Sequence, residues 1–430
     1  MMRHLWILCC LLCTPAIDVQ AIPYDILTVE KRNVDSPELD EASKFYRKGL
    51  EEMAAGRLDA AEQAFRDARG QYRTVYALLG LVEVAFQRKK MDTARELIRQ
   101  ALSEKPDDAY VQDSYSRLLF LDGKLTESEA ALKRALVLDP TLVRTHVALG
   151  DLYMSALHQP EQAIAAYRNA INQDPNHAGA HYALGVTLQS LGKHKEAEAA
   201  LREAGRLNQD NPLPMNSLAE VLVSQGKAEE ALNVWNEVAG KFPRYIPTYN
   251  GRASVYIARR DLPAAIGEYQ SIVDFEPENA GAHLNLGMLH QGLGHWQESE
   301  AAYLKAVEVK PDLAIAWNNL AWMGAEQGGK PDQSLEWAKR AVELAPESPD
   351  FLDTLAWVHR SRGELDSAAA AMQQAIKLAE SPSLYYRLGV IEKEKDDATA
   401  AIAALERALS FAEFPEQTQT RDLLNQLKKP

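Results

Sequence analysis

Beyond Cys13 the chain contains no cysteine. Cys9, Cys10 and Cys13 are its three cysteines, so everything after them lacks a thiol for disulfides, thiolate metal sites or nucleophilic catalysis. Basic charge is also short, with 47 Lys and Arg against 61 Asp and Glu and a net charge of −14. That balance repels phosphate backbones and anionic headgroups, which argues against general nucleic-acid or membrane-surface binding. No Gly-x-Ser-x-Gly, His-Glu-x-x-His, P-loop or Rossmann glycine pattern occurs, so the expectation is a non-catalytic protein without cofactor. Nor is there an Asn-x-Ser/Thr glycosylation acceptor.

The chain begins Met1-Met2-Arg3-His4, continues through an apolar run from Leu5 to Cys13, and reaches Pro15 and then Val19-Gln20-Ala21. This order is the pattern of a secretory signal peptide over residues 1–21, with an apolar run too short to span a bilayer as a helix. All three cysteines would leave with it, so Cys10-Leu11-Leu12-Cys13 is not read as a redox or metal motif. The expected location is the periplasm. The alternative is an outer-membrane lipoprotein anchored through one of the leader cysteines, and membrane association is expected only through such an anchor or an envelope partner.

From there on the sequence repeats. Pro106, Pro140, Pro175, Pro243, Pro277, Pro311 and Pro346 recur at intervals of 34 or 35 residues, with one pair two repeats apart. Self-similarity at that period decides the architecture before any single residue does. Small residues recur in phase with the prolines, at Ala61, Ala94, Ser128, Ala163, Ala197, Ala231, Ala265, Ser299, Ser334, Ala368 and Ala401. Seven residues further on within each unit stands a second series, Ala in nine units and Val238 and Ile272 in the other two. Small side chains let two helices approach closely, and a larger one would overpack the contact. Apolar stripes such as Ala301, Leu304, Ala306 and Val307 mark faces turned toward neighbouring helices. Gly123-Lys124, Gly192-Lys193, Gly226-Lys227 and Gly363-Glu364 mark the turns within units.

These residues resemble the tetratricopeptide repeat family, a helix-turn-helix unit with small residues at positions 8, 20 and 27 and Pro at position 32. The resemblance implies an all-α, right-handed α-solenoid of about eleven units over residues 42–415. The units begin near Ala42, Val75, Ala109, Val143, Ala178, Pro212, Ile246, Ala280, Ala314, Pro349 and Pro382. Residues 22–41 read as a polar lead-in and 416–430 as a capping helix. The Gln209–Pro214 junction, with its two prolines, reads as a tight turn within one array.

His177 and His181 stand four apart, as zinc ligands on a helix do, but capping and packing explain them better and no metal is expected. Carboxylate pairs such as Glu229-Glu230 and Asp396-Asp397 read as solvated helix starts. By the resemblance, positions 2, 5, 6, 9 and 12 of the first helix line a concave groove. Asn216, Asn250 and Asn318 fall at position 5 and Asn285 and Asn319 at position 6, amides that donate and accept without demanding a sequence. Trp322 and Trp357 fall at position 9 of adjacent units as candidate anchors, joined by Met288 and Asp353, while Trp235 and Trp317 fall at core positions.

The function expected on these grounds is an exported scaffold in a bacterial cell-envelope assembly, holding a protein or an extended peptide in its groove. The alternative is a component of exopolysaccharide synthesis or secretion that contacts polymer or bridges envelope proteins. The segment from Asn318-Asn319-Leu320-Ala321 through Pro346-Glu347-Ser348-Pro349 to Ala356-Trp357 is similar to repeats of bacterial polysaccharide-export proteins. An unrecognised enzyme is the remaining reading, for which repeats over 42–415 leave no room.

Overall fold

The computed structural model of the chain describes residues 37–327 and 330–428. Residues 1–21, read as a leader, and residues 22–36 of the segment read as a lead-in lie outside the described residues. Every regular element among the described residues is an α-helix, and the 23 helices fall into eleven consecutive pairs followed by one more. Each pair places a first helix of about three and a half turns before a second of similar length, and consecutive helices pack on one another.

The helix starts follow from local chemistry. Asp108 caps its helix by accepting from the Tyr110 and Val111 amides, and Asn279 caps Ala280–Gly292 through the Ala282 amide. Pro160 and Pro331 occupy the first turn of the two second helices whose preceding turn is one residue longer. Ten of the eleven first helices start at the expected residue or, for Leu213, one residue later, because Pro212 stands at the cap. The exception is the first. It begins at Pro37, inside the segment read as a polar lead-in, and its residues Leu39 and Ala42 are fully buried. Apolar Leu39, Ala42 and Tyr46 already follow helical spacing, and their burial outweighs the polar character of the neighbours.

Packing contacts gather the chain into two compact units, one running to Val234 and one from Trp235. The division falls inside the helix Ala228–Lys241 rather than at the double-proline junction. The core of the amino-terminal unit includes Tyr46, Phe65, Leu78 and Val111, with a second cluster around Phe86, Ile98 and Leu118. The core of the carboxy-terminal unit runs from Tyr249 and Ile272 through Tyr303, Leu320 and Trp337 to Met372 and Ile391.

The small residues lie where the helices meet. All eleven at position 20 and all eleven at position 27 are buried, from Ala61 and Ala68 in the first pair to Ala401 and Ala408 in the last. Ser128 and Ser299 add a bond there, each donating its hydroxyl to a carbonyl of the first helix, at Ser116 and Gly287.

A second regularity concerns position 4. In six units its side chain reaches the carbonyl oxygen of the proline six residues earlier, joining each first helix to the turn before it. The side chains are Gln112, His146, His181, Tyr249, His283 and Trp317, at 2.7 to 3.0 Å. A proline turn leaves a carbonyl outside the helical ladder, and several side chains with a long reach and a polar tip can donate to it. Trp317 is half-buried and packs against the core around Tyr303 and Leu320, whereas Trp235 is enclosed.

The turns between paired helices require a left-handed residue. Gly56, Gly123, Gly192, Gly226, Gly294 and Gly363 supply it with φ between 71° and 77°. Lys89, His158, Arg260 and Asp396 adopt similar angles without that freedom. The last helix, Gln417–Leu427, packs on Ala398–Leu409 and buries Thr420 and Leu424.

Candidate functional site

Three successive first helices of the carboxy-terminal unit, Ala314–Gln327, Pro349–Ser361 and Pro382–Glu394, turn positions 5, 6, 9, 12 and 13 toward a shared cleft of about 440 Å³. Trp322 and Glu326 come from the first helix, Trp357 and Arg360 from the second, and Tyr386, Arg387 and Val390 from the third. Glu416, just before the last helix, closes one end. Helical spacing explains the grouping, since residues three and four apart share a face.

The Trp357 side chain is held by groups of its own and the adjoining repeats. Trp357 donates its indole N–H to Glu326 Oε1 at 2.8 Å. The Arg360 guanidinium lies 4.2 Å from the Trp357 ring centre and that of Arg387 lies 5.6 Å from it, within cation–π range. Trp322 packs in part against the core around Tyr303, Leu320 and Val358. Arg360 donates from Nε to Glu394 at 2.8 Å and from a second nitrogen to the other oxygen of the same carboxylate. Arg387 is held by Asp353. Burial pushes the Asp353 carboxyl above its ordinary range, and Arg387 offsets only part of that. Its second oxygen, Oδ1, is buried without a donor.

The sequence-predicted residues divide. Trp322 and Trp357 line the cleft, and Asp353 lies behind it as the partner of Arg387. Met288 is about half exposed one unit earlier, at the equivalent of Trp322. The amide ladder is not an open row. Asn216 is buried in the amino-terminal unit and donates to Glu220 at 2.9 Å. Asn319 is half-buried and donates to the Tyr303 hydroxyl, which itself donates to Gln291. Asn318 keeps its Oδ1 buried without a partner, Asn285 is half-buried, and Asn250 alone of the five is exposed. Asn216 is thus engaged within its own helix and Asn319 by the helix before it.

Tyr386, Arg387 and Val390 occupy positions 5, 6 and 9 of the last unit, so the same register applied one unit further finds them. Arg360 and Glu326 lie one turn beyond the two tryptophans. For the histidines, His177 accepts from the Ala180 amide as a helix cap and His181 lies against Pro175. His290 and His295 have ring centres 5.8 Å apart. No group of three His, Cys, Asp or Glu able to hold a metal occurs among the described residues.

Sequence profiles described as tetratricopeptide repeat match residues 46–109, 155–214, 284–349 and 354–417, together more than half of the chain. The chain belongs to the tetratricopeptide repeat family. As a tetratricopeptide repeat protein it is similar to "Protein CTR9 homolog" of Arabidopsis thaliana, 25% identical over 364 residues that cover 79% of this chain and 32% of that protein. It is 28% identical over 289 residues to "Cellulose synthase operon protein C" of Xanthomonas axonopodis pv. citri (strain 306), covering 65% of this chain and 17% of the relative. The chain thus spans about a third of the first relative and about a sixth of the second. Among solved structures it is similar to one chain of the "APC/C hetero-tetramer Cut9-Hcn1", with 12% identity, coverage of 94% of this chain and 99% of that one, and a TM-score of 0.43.

Proposed function

We propose that this protein is a non-catalytic interaction scaffold that holds an extended segment of a partner protein against the first helices of its last repeats. One observation carries the reading: two tryptophans and a tyrosine from three successive repeats line one cleft of about 440 Å³. Large aromatic side chains lining a cleft are suited to anchoring a bound chain, because they bury much area with little loss of rotamer freedom. The array offers such a surface without needing the partner to fold.

The cell-envelope setting belongs to the same proposal. It rests on the leader-like residues 1–21 and on the absence of cysteine from the rest of the chain, which suits an exported solenoid that needs no disulfides. A role in exopolysaccharide synthesis or secretion is the second reading. It is favoured by similarity to a relative named for a cellulose synthase operon and by aromatic faces, which also stack on sugar rings.

Both readings meet in one experiment. The purified chain and its Trp322→Ala and Trp357→Ala variants are tested against a displayed peptide library and against a panel of oligosaccharides. Peptide binding that both variants weaken supports the scaffold, and sugar binding that they weaken supports the polymer reading. Ligand binding unchanged in both variants removes the tryptophans from the site.

A further inference from the structure

The charges around the cleft are unevenly matched. Both of its arginines are already neutralised inside the protein, Arg360 by Glu394 and Arg387 by Asp353. Its two lining carboxylates are not. Among the described residues Glu326 accepts only the neutral indole N–H of Trp357, and Glu416 accepts the Ser383 hydroxyl at 2.8 Å. Neither makes an ion pair there, so the cleft and the residues holding its arginines carry more negative than positive charge.

The aromatic walls point the same way. Arg360 and Arg387 already lie over the Trp357 ring, while among the described residues Trp322 and Tyr386 line the cleft with no guanidinium over them, and a negative ring face attracts a planar cation. A partner carboxylate would have to displace Asp353 or Glu394 while facing Glu326 and Glu416, and like charges at that distance repel.

We infer that the cleft takes an arginine side chain of the bound segment, its guanidinium set against Trp322 and Tyr386 and its charge met by Glu326 and Glu416. Arginine fits better than lysine because its planar fork stacks on an aromatic face and bonds a carboxylate through two nitrogens. The net charge of −14 would steer basic segments to this surface. The inference rests on the scaffold reading and adds the chemistry of the anchor.

Peptides selected from a displayed library on the full chain provide the test. Each is resynthesised with its arginine replaced by citrulline, which keeps the shape and removes the charge. The expected result is a loss of about tenfold in affinity on wild type, shrinking below about twofold on a Glu326→Gln/Glu416→Gln variant whose melting curve matches wild type. Selected peptides that need Trp322 but carry no basic residue, or depend on an acidic side chain or a free carboxyl terminus, overturn the inference and leave the scaffold reading standing. Recovery of no peptide, or of peptides indifferent to Trp322→Ala, counts against both.

Discussion

Trp357 donates its indole N–H to Glu326, a residue 31 positions earlier, at 2.8 Å. The ring of one repeat is thereby held by the carboxylate of the repeat before it, and the cleft wall is set by both. A double-mutant cycle with Glu326→Ala and Trp357→Phe is expected to give a coupling of about 0.5–1.5 kcal/mol in urea unfolding. Glu326→Gln keeps an acceptor oxygen and should retain most of it. Zero coupling would leave Arg360 and Arg387 as what holds the ring.

Helices approach closely between Gly251 and Trp235, where a Cβ on residue 251 would stand 2.3 Å from the indole. Gly251→Ala must shift a ring that is almost fully buried, so a loss of about 1–3 kcal/mol is expected. Gly267, in the middle of Leu262–Phe275, has open space where its Cβ would go. Gly267→Ala should therefore stabilise the chain by up to about 1 kcal/mol, as alanine does inside a helix. Equal shifts of the urea midpoint in the two variants would contradict the packing described.

Much of this architecture was legible because its period is enforced by sterics. Prolines end second helices, small residues mark crossings, and ten of eleven first helices start at or next to the expected residue. What escaped notice depended on contacts the period does not encode. Ala301 and Leu304 look like part of the buried stripe, yet both are exposed and Tyr303 takes the inward place. The helix at Pro37 was hidden by charged neighbours on its outer face. Four turns without glycine hold left-handed residues that sequence alone did not single out. In the cleft, the tryptophans could be read from their register, but the pairing of Arg360 and Arg387 with carboxylates from other helices could not. Nor could the bond from Asn319 to Tyr303, sixteen residues away on another helix, whereas that from Asn216 to Glu220 is an i,i+4 pair within one helix.

Ala306 tests the crossing geometry directly. It is fully buried in the core that also holds Ala316 and Leu320 of the following helix, while Glu308 on the same helix is exposed. Ala306→Leu adds three carbons to a filled contact and is expected to cost about 1–3 kcal/mol. Glu308→Leu should stay within about 0.5 kcal/mol of wild type. Thermal or urea unfolding separates them, and a comparable loss in both would mean that small residues at position 27 do not set the helix spacing.

Two carboxylates of the amino-terminal unit should give opposite pH dependences. Burial pushes Asp151 up to about 6, and the Tyr167 hydroxyl bonded to it at 2.7 Å offsets only part of this. Its folded state therefore holds a proton that the unfolded chain has released between about pH 4 and 6, so stability from this group rises as pH falls through that window. For Glu198 burial also acts upward, but bonds from Arg202, Gln225 and Lys227 outweigh it and bring the group down to about 2. Its contribution is present above the ordinary carboxylate range and is lost as pH falls from about 4.5 toward 2. Urea midpoints across this range should show Asp151→Asn gaining on wild type at pH 7.5 relative to pH 4, by up to about 3 kcal/mol. Glu198→Gln should be most costly at neutral pH and converge on wild type below pH 3. A difference between wild type and Asp151→Asn that does not change with pH would place that carboxylate in water, not under Tyr167.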